Sequence, residues 1–244
     1  MMNNRAMRFF SVEKLTFIYI LITSLIIVFL RPEVNACCKL LSVRILIVFV
    51  IFGLSYFNSI KNWWIIRFLR FTFVGGLLVY WYPETFDINR MIPNLDYLLA
   101  DLEQKIFGCQ PALLFSKMYP QRWFCELLNM GYFAYYPLII GTSAYLYFKD
   151  RRYFERFFFI VLFSFFCYYT LYILFPTAGP QFYFQAIGLD KAQAGNFPQV
   201  GYYFDKHQEL LSPGLNSGFF SQMVQYAHQV GERPSAAFLS SHVG

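Results

Sequence analysis

"FFFIVLFSFFCYYTLYILF", residues 157–175, carries no charged side chain, and its length decides what it can be. A buried strand uses about four to eight residues, whereas a helix that crosses the bilayer hydrocarbon needs about 20. In lipid an uninterrupted run of this length must bond every backbone N–H and C=O internally, so it predicts a transmembrane helix. Four further segments, 15–30, 40–57, 63–82 and 127–148, have the same character. The first is slightly short, with Lys14 and Arg31 placed to snorkel from its ends. The second and third carry Arg44, Arg67 and Arg70 near their ends, where snorkelling would make these charges tolerable. Pro137 lies inside 127–148, where a missing backbone hydrogen bond predicts a kink.

Composition agrees with a lipid solvent. Apolar residues make up 57% of the chain and charged residues 14%, far from the balance of a water-soluble domain. The 22% aromatic share fits Phe on lipid-facing surface with Tyr and Trp at the interfaces. A net charge of +6 invites a nucleic-acid partner, but no dense basic run exists, so none is expected. The five Cys show neither C-x-x-C nor Cys/His ligand spacing, so neither a metal nor another cofactor is called for. Cys109 and Cys125 fall where a disulfide can persist, and either a bridge or two free thiols is compatible with that placement. The start of the chain resembles a signal peptide, but Arg31, Pro32 and Glu33 separate its apolar run from the "VNAC" box at 34–37. An uncleaved first span is expected.

Basic residues set the orientation. The N-terminus, 58–70 and the loop 149–156 together hold ten Lys and Arg in 35 residues, against nine in 122 for 31–39, 83–126 and 176–244. The positive-inside rule places the N-terminus in the cytoplasm and the long loops outside. Two amphipathic helices are expected in those loops. "NLDYLLADLEQKIFG" (94–108) aligns Leu95, Leu98, Leu99, Leu102 and Ile106, with Asn94 as N-cap, an Asp101–Lys105 pair and Gly108 as stop. "NSGFFSQMVQYAHQVG" (216–231) repeats the design with Phe219, Phe220, Met223, Val224 and Ala227. Both are too short and too polar to span, and so belong at the interface.

The chemistry gathers at the outer face. "YILFPTAGPQFYF" (172–184) leaves the last span through Pro176, Gly179 and Pro180, and "ERPSAAFLSSHVG" (232–244) returns to the membrane about fifty residues later. Its final residues begin a helix whose free N–H groups and positive dipole end favour a phosphate. Ser240 and Ser241 would add hydroxyl donors, and Arg233 a guanidinium able to grip two oxygens. His242, one turn in, has a proton affinity suited to protonating a leaving oxygen. A plain Ser N-cap with an interfacial His is the alternative use of the same residues.

"FPTAGPQ" and "FLSSHVG" resemble the first two signature segments of the type 2 phosphatidic acid phosphatase superfamily, most of all its inositol phosphorylceramide synthase-like branch. The resemblance covers roughly 125–244 and implies phosphate binding by Ser240 and Ser241 and general acid action by His242. It implies a third signature, S-R-x-x-x-x-x-H-x-x-x-D, that supplies the nucleophilic His. Neither His207 nor His228 sits in such a pattern, so the chain is expected to stop before that signature. On its own it should bind a phosphate-like anion without turning it over. Three departures stand out. Leu239 replaces the proline of P-S-x-H, no K-x-x-x-x-x-x-R-P pattern occurs, and Gln181 stands where relatives often carry a basic residue of the phosphate grip.

The expected fold is therefore an all-α polytopic membrane bundle, with about five spans and the start of a sixth, and interfacial helices outside. Residues 1–244 form a single membrane domain: N-terminal spans (1–82), an outer loop (83–126) and a partial phosphatase-like core (127–244). The implied function is hydrolysis of a lipid phosphate or diphosphate through a phosphohistidine, at the outer face of a plasma membrane of bacterial inner-membrane type. Transfer of a phospho-head group to a lipid alcohol, and a non-catalytic lipid-binding role, are the alternatives. The bilayer and a membrane lipid phosphate are the expected partners.

Overall fold

The structure, a computed structural model, describes residues 7–30, 34–61, 63–209, 218–231 and 233–235. Helices carry the fold throughout the described residues: α1 (Ser11–Leu30), α2 (Val34–Ile60), α3 (Trp64–Asn89), α4 (Asp96–Phe107), α5 (Pro111–Met118), α6 (Arg122–Lys149), α7 (Arg151–Leu174), α8 (Pro180–Ile187), α9 (Leu189–Gln193) and α10 (Phe219–Gly231). Four of them, Ser11–Leu30, Asn35–Ile60, Trp64–Asn89 and Arg151–Leu174, are long and apolar enough to cross a membrane. This is a multi-pass, all-α membrane bundle. The expected span at 127–148 forms α6, which at 28 residues is long enough. Its five tyrosines and its Asn, Ser and Thr side chains leave it less apolar than those four. Helix α6 runs unbroken through Pro137, and α3 through Pro83, six residues beyond which it ends at Asn89.

The chain divides into two compact units. The first comprises residues 1–82 and 152–167. Its core is aromatic: Tyr19 stacks on Phe166 at 4.3 Å and meets Trp81 edge-on at 5.0 Å, while Phe71 packs edge-on against Phe154 and Phe158. Gly75 allows this approach, since a Cβ there would lie 2.8 Å from the Phe158 ring. Small residues serve the same purpose wherever membrane helices pack closely.

Snorkelling is not what accommodates two of the arginines. Arg70 is 1% exposed and forks onto the equally buried Glu13, with Nε donating to Oε1 at 2.7 Å and Nη2 to Oε2. Nη2 also donates to Arg8 O at 2.8 Å and Ser55 Oγ at 3.3 Å, and the guanidinium lies 4.1 Å from the Phe10 ring. Glu13 completes the start of α1 by accepting the Phe10 N–H at 2.8 Å, the reach-back half of a capping box. Arg44 turns inward too, donating to Leu40 O at 3.2 Å and Thr23 Oγ1 at 3.3 Å. Acceptors inside the unit replace the water that a snorkelling side chain would seek. Arg67, by contrast, stays partly exposed, 3.7 Å from Glu155.

The second unit comprises residues 83–151 and 168–244. Its core joins Ala100 of α4 and Ala178 to Phe182, Tyr183, Phe184 and Ile187 of α8, with Ala192 and Phe204. Helix α4 keeps the Lys105–Asp101 pair and the left-handed Gly108 at φ 68°, but its N-cap position is Leu95 rather than the expected Asn94, whose side chain is bonded to Asp96 instead. Its Asp96 and Ala100 face inward while Leu98, Leu102 and Ile106 are exposed, as suits a helix bounded by lipid on its apolar side. Cys109 and Cys125 are free thiols.

Candidate active site

Helix α7 ends at Leu174, and a turn at 176–179 follows. Gly179 holds φ 85° and ψ 168°, a region that a Cβ strongly disfavours, and Pro180 then opens α8 with its φ preset for a helix. This geometry turns two successive N–H groups toward one acceptor. Ala178 N donates to Asp96 Oδ2 at 2.6 Å and Gly179 N to Asp96 Oδ1 at 2.8 Å. Asn94 Nδ2 donates to Asp96 Oδ2 at 2.6 Å, and Asn94 Oδ1 accepts the Asp96 N–H at 3.1 Å. A backbone bond from Leu95 N to Pro176 O (2.9 Å) joins the same segments, and one from Asn94 N to Gly201 O (3.0 Å) brings in the turn at 201.

Asp96 is 5% exposed. Burial raises its proton affinity above the ordinary value of 3.8, and the donors Asn94, Ala178 and Gly179 offset this only in part. The folded state therefore favours the protonated carboxyl relative to the unfolded chain. The resulting stability is fully present below 3.8 and is lost as pH rises through the raised folded value. Asp96→Asn should flatten this slope in melting curves taken across that window. Slopes parallel to wild type would show that Asp96 is not the titrating group.

A second set of bonds centres on Asn89 and Glu126. Asn89, the last residue of α3 and 2% exposed, donates through Nδ2 to Tyr172 O at 3.1 Å and to Ser235 O at 3.2 Å. The end of α3 thus ties α7 to the segment 233–235. Helix α10, which leads into that segment, is anchored on α6. The Glu126 carboxylate accepts the N–H groups of Phe220 (3.0 Å) and Ser221 (2.9 Å) and the Ser221 hydroxyl. These are the orphan donors of a helix N-terminus, where a negative charge also complements the dipole. Asn129 Nδ2 adds a bond to Ser221 Oγ at 2.9 Å, and any side chain at Gly218 would displace the carboxylate.

A small solvent-open cleft, about 260 Å³ including its mouth, lies beside both segments. Pro176 and Pro234 line it together with Asn89, Arg90, Tyr202 and Asp205. Of the residues singled out in the sequence, Gln181 is the second residue of α8 and is half-buried. Arg233 is exposed, its Nη1 3.3 Å from Gln208 Oε1. Ser240, Ser241 and His242, with the expected sixth helix, lie outside the described residues. The long-range bonds of Asn89, Asp96 and Glu126 were not legible in the sequence. Their partners are 83–146, 82–83 and 94–95 positions away, and no local spacing marks such pairs.

Residues 98–244, more than half of the chain, match a family model described as the PAP2 superfamily. No curated protein and no solved structure matches the chain.

Proposed function

The chain belongs to the PAP2 superfamily, and from that premise we propose a membrane-embedded phosphatase that hydrolyses a lipid phosphate or diphosphate at the outer face of the membrane. The match over 98–244 is the observation that carries this assignment. The joining of the first signature segment at 176–179 to 94–96, and of Asn89 to Ser235, three residues before the second signature segment, is in keeping with it.

In the proposed reaction the phosphate rests on the helix N-terminus that begins with Ser240 and Ser241, with Arg233 contributing charge. A histidine of the third signature attacks phosphorus and forms a phosphohistidine. As the P–O bond breaks, His242 gives its proton to the departing lipid alkoxide. Water then attacks the phosphohistidine, the N–P bond breaks, and inorganic phosphate leaves. If the donor is instead a phosphodiester lipid whose head group stays on phosphorus as the lipid alkoxide leaves, and a lipid alcohol replaces water in the second step, the same site transfers the phospho-head group, in keeping with the likeness to the inositol phosphorylceramide synthase-like branch.

With a third signature in place, protein reconstituted in vesicles and given lipid phosphates and diphosphates should release inorganic phosphate without any added acceptor, whereas residues 1–244 alone should not. Turnover that requires a lipid alcohol would establish the transferase instead. Folded protein that does neither, across a panel of both substrate classes, would leave a non-catalytic lipid-binding role.

The orientation has its own test. With the native cysteines replaced, Asp205→Cys should react with an impermeant maleimide on intact cells and Arg152→Cys only after lysis. The reverse pattern would overturn an outward-facing site and a cytoplasmic N-terminus.

A further inference from the structure

At one end of the first unit the starts of α1, α3 and α7 meet the end of α2. Ser55 Oγ of α2 donates to Arg8 O at 3.3 Å, Arg70 of α3 forks onto Glu13 of α1, and Phe71 packs on Phe154 of α7. The Glu13–Arg70 pair is buried, and its two charges cancel. The charge left outside has one sign. Arg8, Lys14, Lys61, Arg152 and Arg156 are exposed and Arg67 partly so, against the one carboxylate of Glu155 among the described residues at this end of the unit. We propose that this end binds the head groups of anionic phospholipids, which in the orientation proposed above are those of the cytoplasmic leaflet.

The surroundings of these cations fit a lipid rather than a soluble anion. Trp63, Trp64 and Tyr153 are exposed among them, and such rings settle at head-group depth. Lys61 Nζ lies 4.8 Å from the centroid of the Trp63 ring, which keeps the ammonium at the level of that ring. Lys14 and Arg156 have no ion-pair partner among the described residues. Arg67 reaches Glu155 only at 3.7 Å, longer than a charge-assisted hydrogen bond. A phosphodiester offers such a guanidinium two oxygens at once. The exposed Ile65, Phe68 and Leu69 of the same helix take the acyl chains, a contact that a free phosphate cannot make. Each Lys or Arg near an anionic surface favours it by about five-fold.

The test is quenching of tryptophan emission by brominated lipid in the Trp123→Phe protein, where Trp63 and Trp64 are exposed and Trp81 is buried. The full chain is placed in vesicles of mixed phosphatidylcholine and phosphatidylglycerol, with one or the other lipid brominated on its acyl chains. Phosphatidylglycerol should be preferred by about 5- to 25-fold in relative binding constant at low salt, and the preference should shrink as salt is raised. Lys61→Gln, Arg67→Gln and Arg156→Gln combined should abolish it. Equal quenching by the two lipids in the starting protein, or an unchanged preference in the combined variant, overturns the proposal. Should the combined variant fail to fold, Lys61→Gln with Arg156→Gln decides by the same measure, since neither change breaks an ion pair among the described residues. Both leaflets have one composition and no turnover is read, so failure here leaves the orientation and the phosphatase reading standing.

Discussion

Glu13→Ala should destabilise the protein by about 3–5 kcal/mol, the cost of stranding one member of a buried ion pair. Arg70 is 1% exposed, and Glu13 accepts two of its N–H groups. After the substitution the guanidinium keeps only Arg8 O, Ser55 Oγ and the face of Phe10. A cation in that setting must either draw water into the unit or pull the starts of α1 and α3 apart. The Phe10 N–H loses its acceptor at the same time. Arg70→Met should be comparably harmful, because it leaves a buried carboxylate with only that N–H. The two together, Glu13→Leu with Arg70→Met, should recover most of the loss, since an apolar pair of similar volume replaces two desolvated charges. Thermal unfolding in detergent of Glu13→Leu, Arg70→Met and the two combined, run as a double-mutant cycle, checks this. Additive losses would mean that the pair is not a coupled buried unit.

In a chain carrying all three signatures, His242→Ala should lower turnover of a lipid phosphate by about 10²–10⁴-fold, the usual share of a general acid. An alkoxide leaves poorly unless it is protonated as the P–O bond breaks. The loss should therefore shrink for a substrate with an acidic leaving group, such as an aryl phosphate. Ser240→Ala should act differently, weakening inhibition by vanadate because it removes a ligand of the phosphate rather than a proton donor. Equal losses for alkyl and aryl substrates would show that His242 is not the proton donor.

The membrane class, the helices and the family were legible in the chain because each rests on local pattern. A run such as 157–175 must satisfy its own backbone in lipid whatever surrounds it, so the helix Arg151–Leu174 follows from length and apolarity alone. Helix α4 needed only its periodicity, its Asp101–Lys105 pair and Gly108. The 127–148 segment was legible as a helix for the same reason, although its tyrosines make it less apolar than the other spans.

Tertiary structure decided where the charges went. Arg70 and Arg44 look alike in sequence to a snorkelling Arg, and only the acceptors that meet them from α1, from the residues before it and from α2 turned them inward. The site shows the same division. Pro176, Gly179 and Pro180 announce a turn, but nothing in that stretch says that its N–H groups will be taken by Asp96. Nor does any spacing reveal that Asn89 will bond both Tyr172 and Ser235. A buried polar group must find a partner somewhere, and across 82–146 residues only the packed fold selects which one.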